Sequence, residues 1–330
     1  MAIDIHAHVV PESFPAYAGK IRNTPWPTTC PAGCGHRHIM LRGQIFRTIS
    51  DECWDAEKRL RRMDEMGVAI QALSPMPELL SYWFDEDDGL SIARFINEVI
   101  AGMVDQSPAR FCGLGMLPMQ SPAKAVDELE MLMRDGRFRG IEVGTNVNGI
   151  PIGDPRFEPV FAAAEKLGAA IFIHALHPTG DDRLVGPAML KALVSFPCET
   201  AFAAAGLITS GMLARYPNLK IAFSHGGGAF ASVLPRLQFG WTKLDSVRNL
   251  TPVSPKDAAR KCFYDTLVYD STALRGLKET FGKYQLLVGT DYPFEIQDSD
   301  PVGSLLAANF SGEEVEAMRF GNARRFLGLV

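Results

Sequence analysis

Eight short apolar runs rich in β-branched residues recur along the chain, and stretches of helical periodicity separate them. The runs cover 2–8, 68–74, 111–117, 140–144, 170–174, 219–225, 263–270 and 285–290. A near-continuous apolar stretch such as Ala169-Ala170-Ile171-Phe172-Ile173 fits a strand buried on both faces, as in a parallel sheet. Helical patterns lie near 54–66, 89–105, 122–134, 155–167, 187–215 and 230–244, with shorter ones near 255–261, 272–281, 312–319 and 322–327. Ser121-Pro122 and Asp154-Pro155 each set a capping residue before a proline at the first helical position. Eight strands alternating with helices in a chain of 330 residues, 47% of them hydrophobic, predict a (β/α)₈ TIM barrel, somewhat distorted, as a single domain over 1–330. A doubly wound open sheet is the competing architecture, but no Gly-x-Gly-x-x-Gly loop follows the first run.

One segment breaks the alternation. Residues 9–50 separate the first strand from the first convincing helix, far more than the usual few connecting residues. The segment is rich in Pro, Gly and Cys, and it leaves directly from the first strand. At the C-terminal face of a barrel it can roof the active site as a lid, although a plain surface excursion is the simpler alternative.

Polar residues fall repeatedly at the C-terminal ends of the apolar runs. His6 and His8 end the first, His174 the fifth, His225 the sixth, and Asp291 follows the eighth. Residues two apart on a strand share a face, so His6 and His8 project together. A lone histidine after an apolar strand is ordinarily a hydrogen-bonded core residue. Four strands ending this way converge on one barrel mouth, and coincidence becomes a poor explanation. Three imidazoles and one carboxylate suit a borderline-soft divalent ion, zinc by default, with manganese, iron or cobalt as alternatives. Such an ion makes hydroxide available near neutrality, and His225 has the titration range for an acid and base beside it. Gly226-Gly227-Gly228 follows at once and either admits a substrate close to the backbone or forms a simple strand-to-helix turn. His177 is a rival to His174, but it precedes Pro178 and has already left the strand.

A net charge of -5 gives no electrostatic case for nucleic acid. The densest basic run, Lys58-Arg59-Leu60-Arg61-Arg62, reads as a solvated helix face. No segment is expected to span a membrane, and no export signal is expected at the N-terminus. The six cysteines then read as free thiols in the cytoplasm. Within the inserted segment, Cys30, Cys34, His36 and His38 lie close enough in sequence for a second, structural zinc. Their spacing is not that of a standard finger, and a thiol-bearing loop is the alternative.

Several motifs together resemble the metal-dependent decarboxylase branch of the amidohydrolase superfamily. They are Ile5-His6-Ala7-His8, Phe46-Arg47, Ile173-His174, Pro197-Cys198-Glu199-Thr200, Ser224-His225-Gly226-Gly227-Gly228 with Arg236 after it, and Gly289-Thr290-Asp291-Tyr292-Pro293-Phe294. They occur in family order and span nearly the whole chain. The resemblance implies that His6, His8, His174 and Asp291 bind one metal, and that His225 handles the proton of its water. It also implies that Arg47 and Arg236 hold substrate carboxylates, Arg236 from a neighbouring subunit, and that Phe294 packs against the substrate. A homodimer or higher homo-oligomer follows from that role. No lysine ends the fourth strand, in agreement with a mononuclear site. The chain departs from the pattern at 185–191, which lacks the tryptophan carried near the substrate there.

The expected activity is therefore metal-dependent, non-oxidative decarboxylation of an unsaturated or aromatic carboxylic acid. Hydrolysis of a lactone or amide, or hydration of a conjugated carboxylate, is the alternative on the same barrel. A metal-binding scaffold without activity is a third reading, disfavoured by the complete set of candidate ligands beside His225.

Overall fold

Eight parallel strands pair in the order in which the chain makes them. They are β1 (Ala2–Val9), β2 (Val68–Pro75), β3 (Phe111–Met116), β4 (Phe138–Gly144), β5 (Ala170–His174), β6 (Lys220–Phe223), β7 (Phe263–Asp265) and β8 (Leu286–Leu287). The structure is a computed structural model that describes residues 1–329 apart from Arg22, Arg42 and Leu250. The sheet closes onto β1 just beyond β8. Ile5 N donates to Val288 O (2.9 Å), Asp291 N to His6 O (2.8 Å) and His8 N to Tyr292 O (2.7 Å). Helices follow the strands in the manner of a (β/α)₈ barrel, among them Ala56–Glu65, Glu86–Gln106, Pro122–Arg134, Glu158–Leu167, Phe196–Thr209, Phe230–Lys243 and Ser271–Phe281.

Two apolar layers hold the barrel. One lies between strands and helices. The other fills the N-terminal half of the barrel with Ile3, Ile5, Leu114, Phe172, Ala222 and Leu287, closed by Phe326 of the C-terminal helix Asn322–Leu327. Each fully buried Phe or Leu contributes about 1.5–3 kcal/mol to this packing. Simple alternation from Ile3 and Ile5 would carry His6 and His8 to the outside. A register irregularity between Asp4 and Ala7 shifts the phase, so that all four side chains point inward.

Within the inserted segment, strands Thr28–Gly33, His36–Leu41 and Gln44–Ile49 form a small antiparallel sheet, and Ile39 and Ile49 are buried in the main core. Its end is fastened by Arg59, which is fully buried and not a solvated surface residue as the basic run suggested. The Arg59 guanidinium donates to His8 O (2.7 Å), Glu52 O (3.0 Å) and Gln71 Oε1 (2.9 Å), and lies 4.7 Å from the Tyr292 ring centroid. One side of the helix Ala56–Glu65 faces the barrel, and Arg59 falls on it with Met63.

Several elements differ from the sequence reading. β7 stops at Asp265 because its carboxylate accepts the Leu267 N–H (3.1 Å) and Val268 N turns back to Thr266 O (2.9 Å). Ser121 makes no cap bond, since its hydroxyl donates to Glu86 (2.7 Å). The pattern over 187–215 begins as a π turn at Lys191–Ser195, continues as the helix Phe196–Thr209 and breaks at Gly211, where φ is +77°. Taken together, Lys191–Thr209 is long and apolar enough to cross a membrane by length and composition, contrary to expectation, although nearly half of it is buried in the fold.

Candidate active site

The irregular β1 end, the end of β5 and the turn after β8 bring four donors to one point. His6 Nε2 lies 3.1 Å from His8 Nε2 and 3.1 Å from His174 Nε2. Asp291 Oδ1 lies 3.0 Å from His8 Nε2 and 3.5 Å from His6 Nε2. Ligand bonds of about 2.0–2.2 Å to a shared ion would place donors about 3–3.5 Å apart, so the spacing fits a metal.

The outer ring nitrogens explain why these donors face one another. His8 Nδ1 meets Pro75 O (3.0 Å) and His174 Nδ1 meets Ala175 O (3.0 Å). Carbonyls only accept, so both Nδ1 atoms carry the proton and both Nε2 atoms keep a lone pair. His6 Nδ1 lies 2.7 Å from the Asp265 carboxylate, with the same consequence. Three lone pairs and a carboxylate directed at one another repel unless a cation or a proton lies between them. The titration behaviour of the metal-free set agrees. Burial opposes a charge on His6, but bonds to Asp265 and Asp291 outweigh it and push its pKa up to about 10. Burial holds His8 below its ordinary value and His174 well below. Burial would raise Asp291, yet its bonds to His6 and His8 hold it well below the usual carboxylate range. A divalent cation would take the place of the proton on His6.

His225 stands beside this group, its ring centroid 5.3 Å from that of His6 and 5.0 Å from that of His174. Its buried Nδ1 has no protein partner. Both His225 (φ +55°) and Asp291 (φ +62°) occupy the left-handed region, an outlier conformation for residues with side chains that costs about 1–3 kcal/mol each and concentrates at functional sites. At Gly228 an added Cβ would sit 1.9 Å from Pro197 O, so the last of the three glycines is required by close backbone packing. Glu199 of the same Pro197–Thr200 motif accepts from Asn146 Nδ2 (3.2 Å) and Thr179 N (3.1 Å), holding the segment that follows β5.

A cavity of about 390 Å³ opens onto His174, His225 and Asp291. Arg47, Ser50, Glu78 and Phe294 form part of its wall, and Met189 of the 185–191 segment lines it as well. Arg47 approaches Glu78 Oε1 at 3.4 Å and lies 4.5 Å over the Phe294 ring. Phe294 in turn stacks on His8 at 5.2 Å. Arg236 is exposed on the helix Phe230–Lys243 and does not line the cavity of its own chain. His177 lies outside the cluster, its ring 5.4 Å from that of Trp83.

Among the described residues, His6, His8, His174 and Asp291 form the one group of metal-type donors drawn together. Cys30, Cys34, His36 and His38 do not gather into a second. Cys30 and His38 pair across the small sheet, Cys34 is exposed at the hairpin turn, His36 bonds Cys34 O and His38 bonds Thr48. The hairpin spreads these side chains along its length, so a structural zinc there is unsupported.

Two buried acids escaped the sequence reading. Asp265 ends β7 as His174 ends β5, but the apolar run in the sequence continues to 270, so the rule of a polar residue closing a run does not single it out. Glu142 on β4 lies fully buried, 3.8 Å from His8 Nδ1, and burial pushes its pKa up to about 8.

The amidohydrolase family model matches residues 3–329. The 2-amino-3-carboxymuconate-6-semialdehyde decarboxylase of Dictyostelium discoideum is 36% identical over 332 residues, covering 100% of this chain and 92% of its own. The crystal structure of 5-carboxyvanillate decarboxylase from Sphingomonas paucimobilis is similar at a TM-score of 0.81 and 25% identity, over 100% of this chain and 99% of that one. A dihydroxybenzoic acid decarboxylase from Polaromonas sp. JS666, solved with bound manganese, gives a TM-score of 0.74 at 25% identity, over 83% of this chain and 86% of that one.

Proposed function

Because the chain belongs to the amidohydrolase family, we propose that it is a metal-dependent, non-oxidative decarboxylase of an unsaturated or aromatic carboxylic acid, similar in activity to the aminocarboxymuconate semialdehyde enzymes. The convergence of three imidazole nitrogens and one carboxylate oxygen beside His225, at the foot of a cavity walled by Arg47, carries this reading. His6, His8, His174 and Asp291 hold the ion. Zinc is assigned from the donor set, with manganese, which the Polaromonas relative binds, as its chief competitor.

When bound, the ion supplies a Lewis acid that draws charge from an oxygen of the substrate or of water. The remaining work falls to side chains of the chain. Arg47 binds a substrate carboxylate through its planar fork, exchanging its long contact with Glu78 for a shorter charge-assisted pair. Phe294 packs against the conjugated system. Neutral His225 takes up one proton from solvent and delivers it to the carbon that loses CO₂. The bond to the departing carboxylate breaks as CO₂ leaves with its two oxygens. The electron pair stays on carbon, spreads into the conjugated system and is then protonated. The inserted segment, which carries His36, Arg47 and Ser50 onto the cavity wall, serves as the lid that excludes water.

We also assign a second copy of the chain to the outer face around Arg236. Phe202, Phe239 and Val233 lie exposed on the two helices Phe196–Thr209 and Phe230–Lys243, an apolar surface around a guanidinium that its own cavity does not use. The dimer is the active unit in this arrangement, with Arg236 serving a substrate carboxylate in the partner's cavity. Six free thiols accord with a reducing cytoplasm.

Metal-loaded protein incubated with a panel of muconate and hydroxybenzoate acids tests the activity. Stoichiometric CO₂ with the protonated product is expected. Water addition or ester and amide cleavage without CO₂ would replace this reading with the hydrolase or hydratase alternative.

A further inference from the structure

Asp265 belongs to none of the motifs above, yet it touches both halves of the site. It is fully buried at the end of β7, and no arginine or lysine pairs with it among the described residues. Its Oδ2 lies 2.7 Å from His6 Nδ1 and accepts the His225 N–H at 2.9 Å. Its Oδ1 accepts the Gly226 N–H at 2.7 Å and the Leu267 N–H at 3.1 Å. Each oxygen thus receives two donors, the full capacity of an ionised carboxylate. The approach to His6 requires space, and Gly289 provides it. A Cβ there would lie 2.8 Å from the Asp265 Cβ and 2.9 Å from the His6 Cβ. The φ of Gly289 is not in the left-handed region, so a missing side chain is the feature the site uses.

We infer that Asp265 is a positioning residue that sets the metal site and the acid/base residue with one carboxylate. Through His6 Nδ1 it fixes the tautomer that leaves the Nε2 lone pair for the ion and raises the basicity of that ligand. Through two backbone N–H groups it holds the His225 turn in a left-handed conformation that would otherwise relax. Loss of the carboxylate therefore damages ligand and acid/base together, although His6 lies on β1 and His225 in the turn after β6. This coupling rests on the metal-site reading above.

Asp265→Asn tests it, because an amide has one acceptor oxygen. Whichever way the amide turns, an N–H₂ confronts either His6 Nδ1–H or the backbone donors. Chelator competition on the folded variant should show metal affinity about 10–100-fold weaker than wild type. With the ion resupplied to saturation, kcat should stay depressed at least tenfold while KM changes little, since Arg47 and Phe294 are untouched. Wild-type affinity in the variant, or full recovery of kcat on saturation, would overturn the inference. If the variant does not fold, nitrogen NMR of the zinc-loaded wild-type histidines decides. His6 protonated at Nδ1 with a strongly hydrogen-bonded proton is expected, and an unprotonated Nδ1 would refute the inference. Failure of wild type to bind any divalent ion would instead remove the metal-site reading itself.

Discussion

His225 is neutral at ordinary pH because burial, reinforced by the charge on His6, pushes its imidazole down to about 4. A bound cation acts in the same direction. Its base form is therefore present above that value and lost only as pH falls through it. The acid limb of kcat/KM, measured on protein checked for retained metal, should lie well below the ordinary histidine value of about 6.5. A limb at or above 6.5 would assign the titration to another group. His225→Asn should keep the ion yet lose about 100–10,000-fold in kcat, the usual contribution of general acid–base catalysis. Full activity in a metal-loaded His225→Asn protein would end the proposed role.

At this scale His6, His8, His174, His225 and Asp291 could be read from sequence, because each follows an apolar run and a parallel barrel gathers such ends. Asp265 could not, because the apolar run extends past it to 270 and it reads as an interior strand residue. Arg59 was misread for a different reason. Periodicity places it on a helix face, but only the docking of that helix decides that the face is buried.

Among the elements, the helix Ala56–Glu65 does more than cover β2. Through Arg59 it ties the end of the inserted segment to the His8 carbonyl and to the ring of Tyr292, next to Asp291. Arg59→Met should cost about 2–4 kcal/mol in denaturant unfolding, because several buried acceptors lose their donor at once. Metal affinity should fall as well, since both ligand-bearing segments lean on that guanidinium. A variant with unchanged stability would show that the carbonyls have other partners. The identity and order of the eight strands followed from composition and alternation. Their limits did not. The phase shift in β1 depends on its pairing with β2, and the early stop of β7 depends on the side-chain bonds of Asp265.

For the whole molecule, a single chain brings the four metal-type donors to one cavity, while Arg236 lies exposed and does not line it. A partner subunit cannot be read from one sequence, and here it came only from family resemblance. Co-expression of Arg236→Ala and Asp291→Ala chains tests the shared site. Each variant alone should be nearly inactive, and random pairing should restore about a quarter of wild-type activity through mixed dimers. An inactive mixture containing verified heterodimers would confine Arg236 to its own subunit.

The mouth of the barrel turns three imidazole nitrogens and one carboxylate toward a single point, an arrangement that a cation stabilises. Elemental analysis of protein purified without chelator or added metal therefore bears most directly on the assignment, taken together with a folded His8→Ala/Asp291→Ala variant. About one divalent ion per wild-type chain and almost none in the variant is expected. A folded, active wild type free of metal, or a variant that keeps its ion, would contradict it.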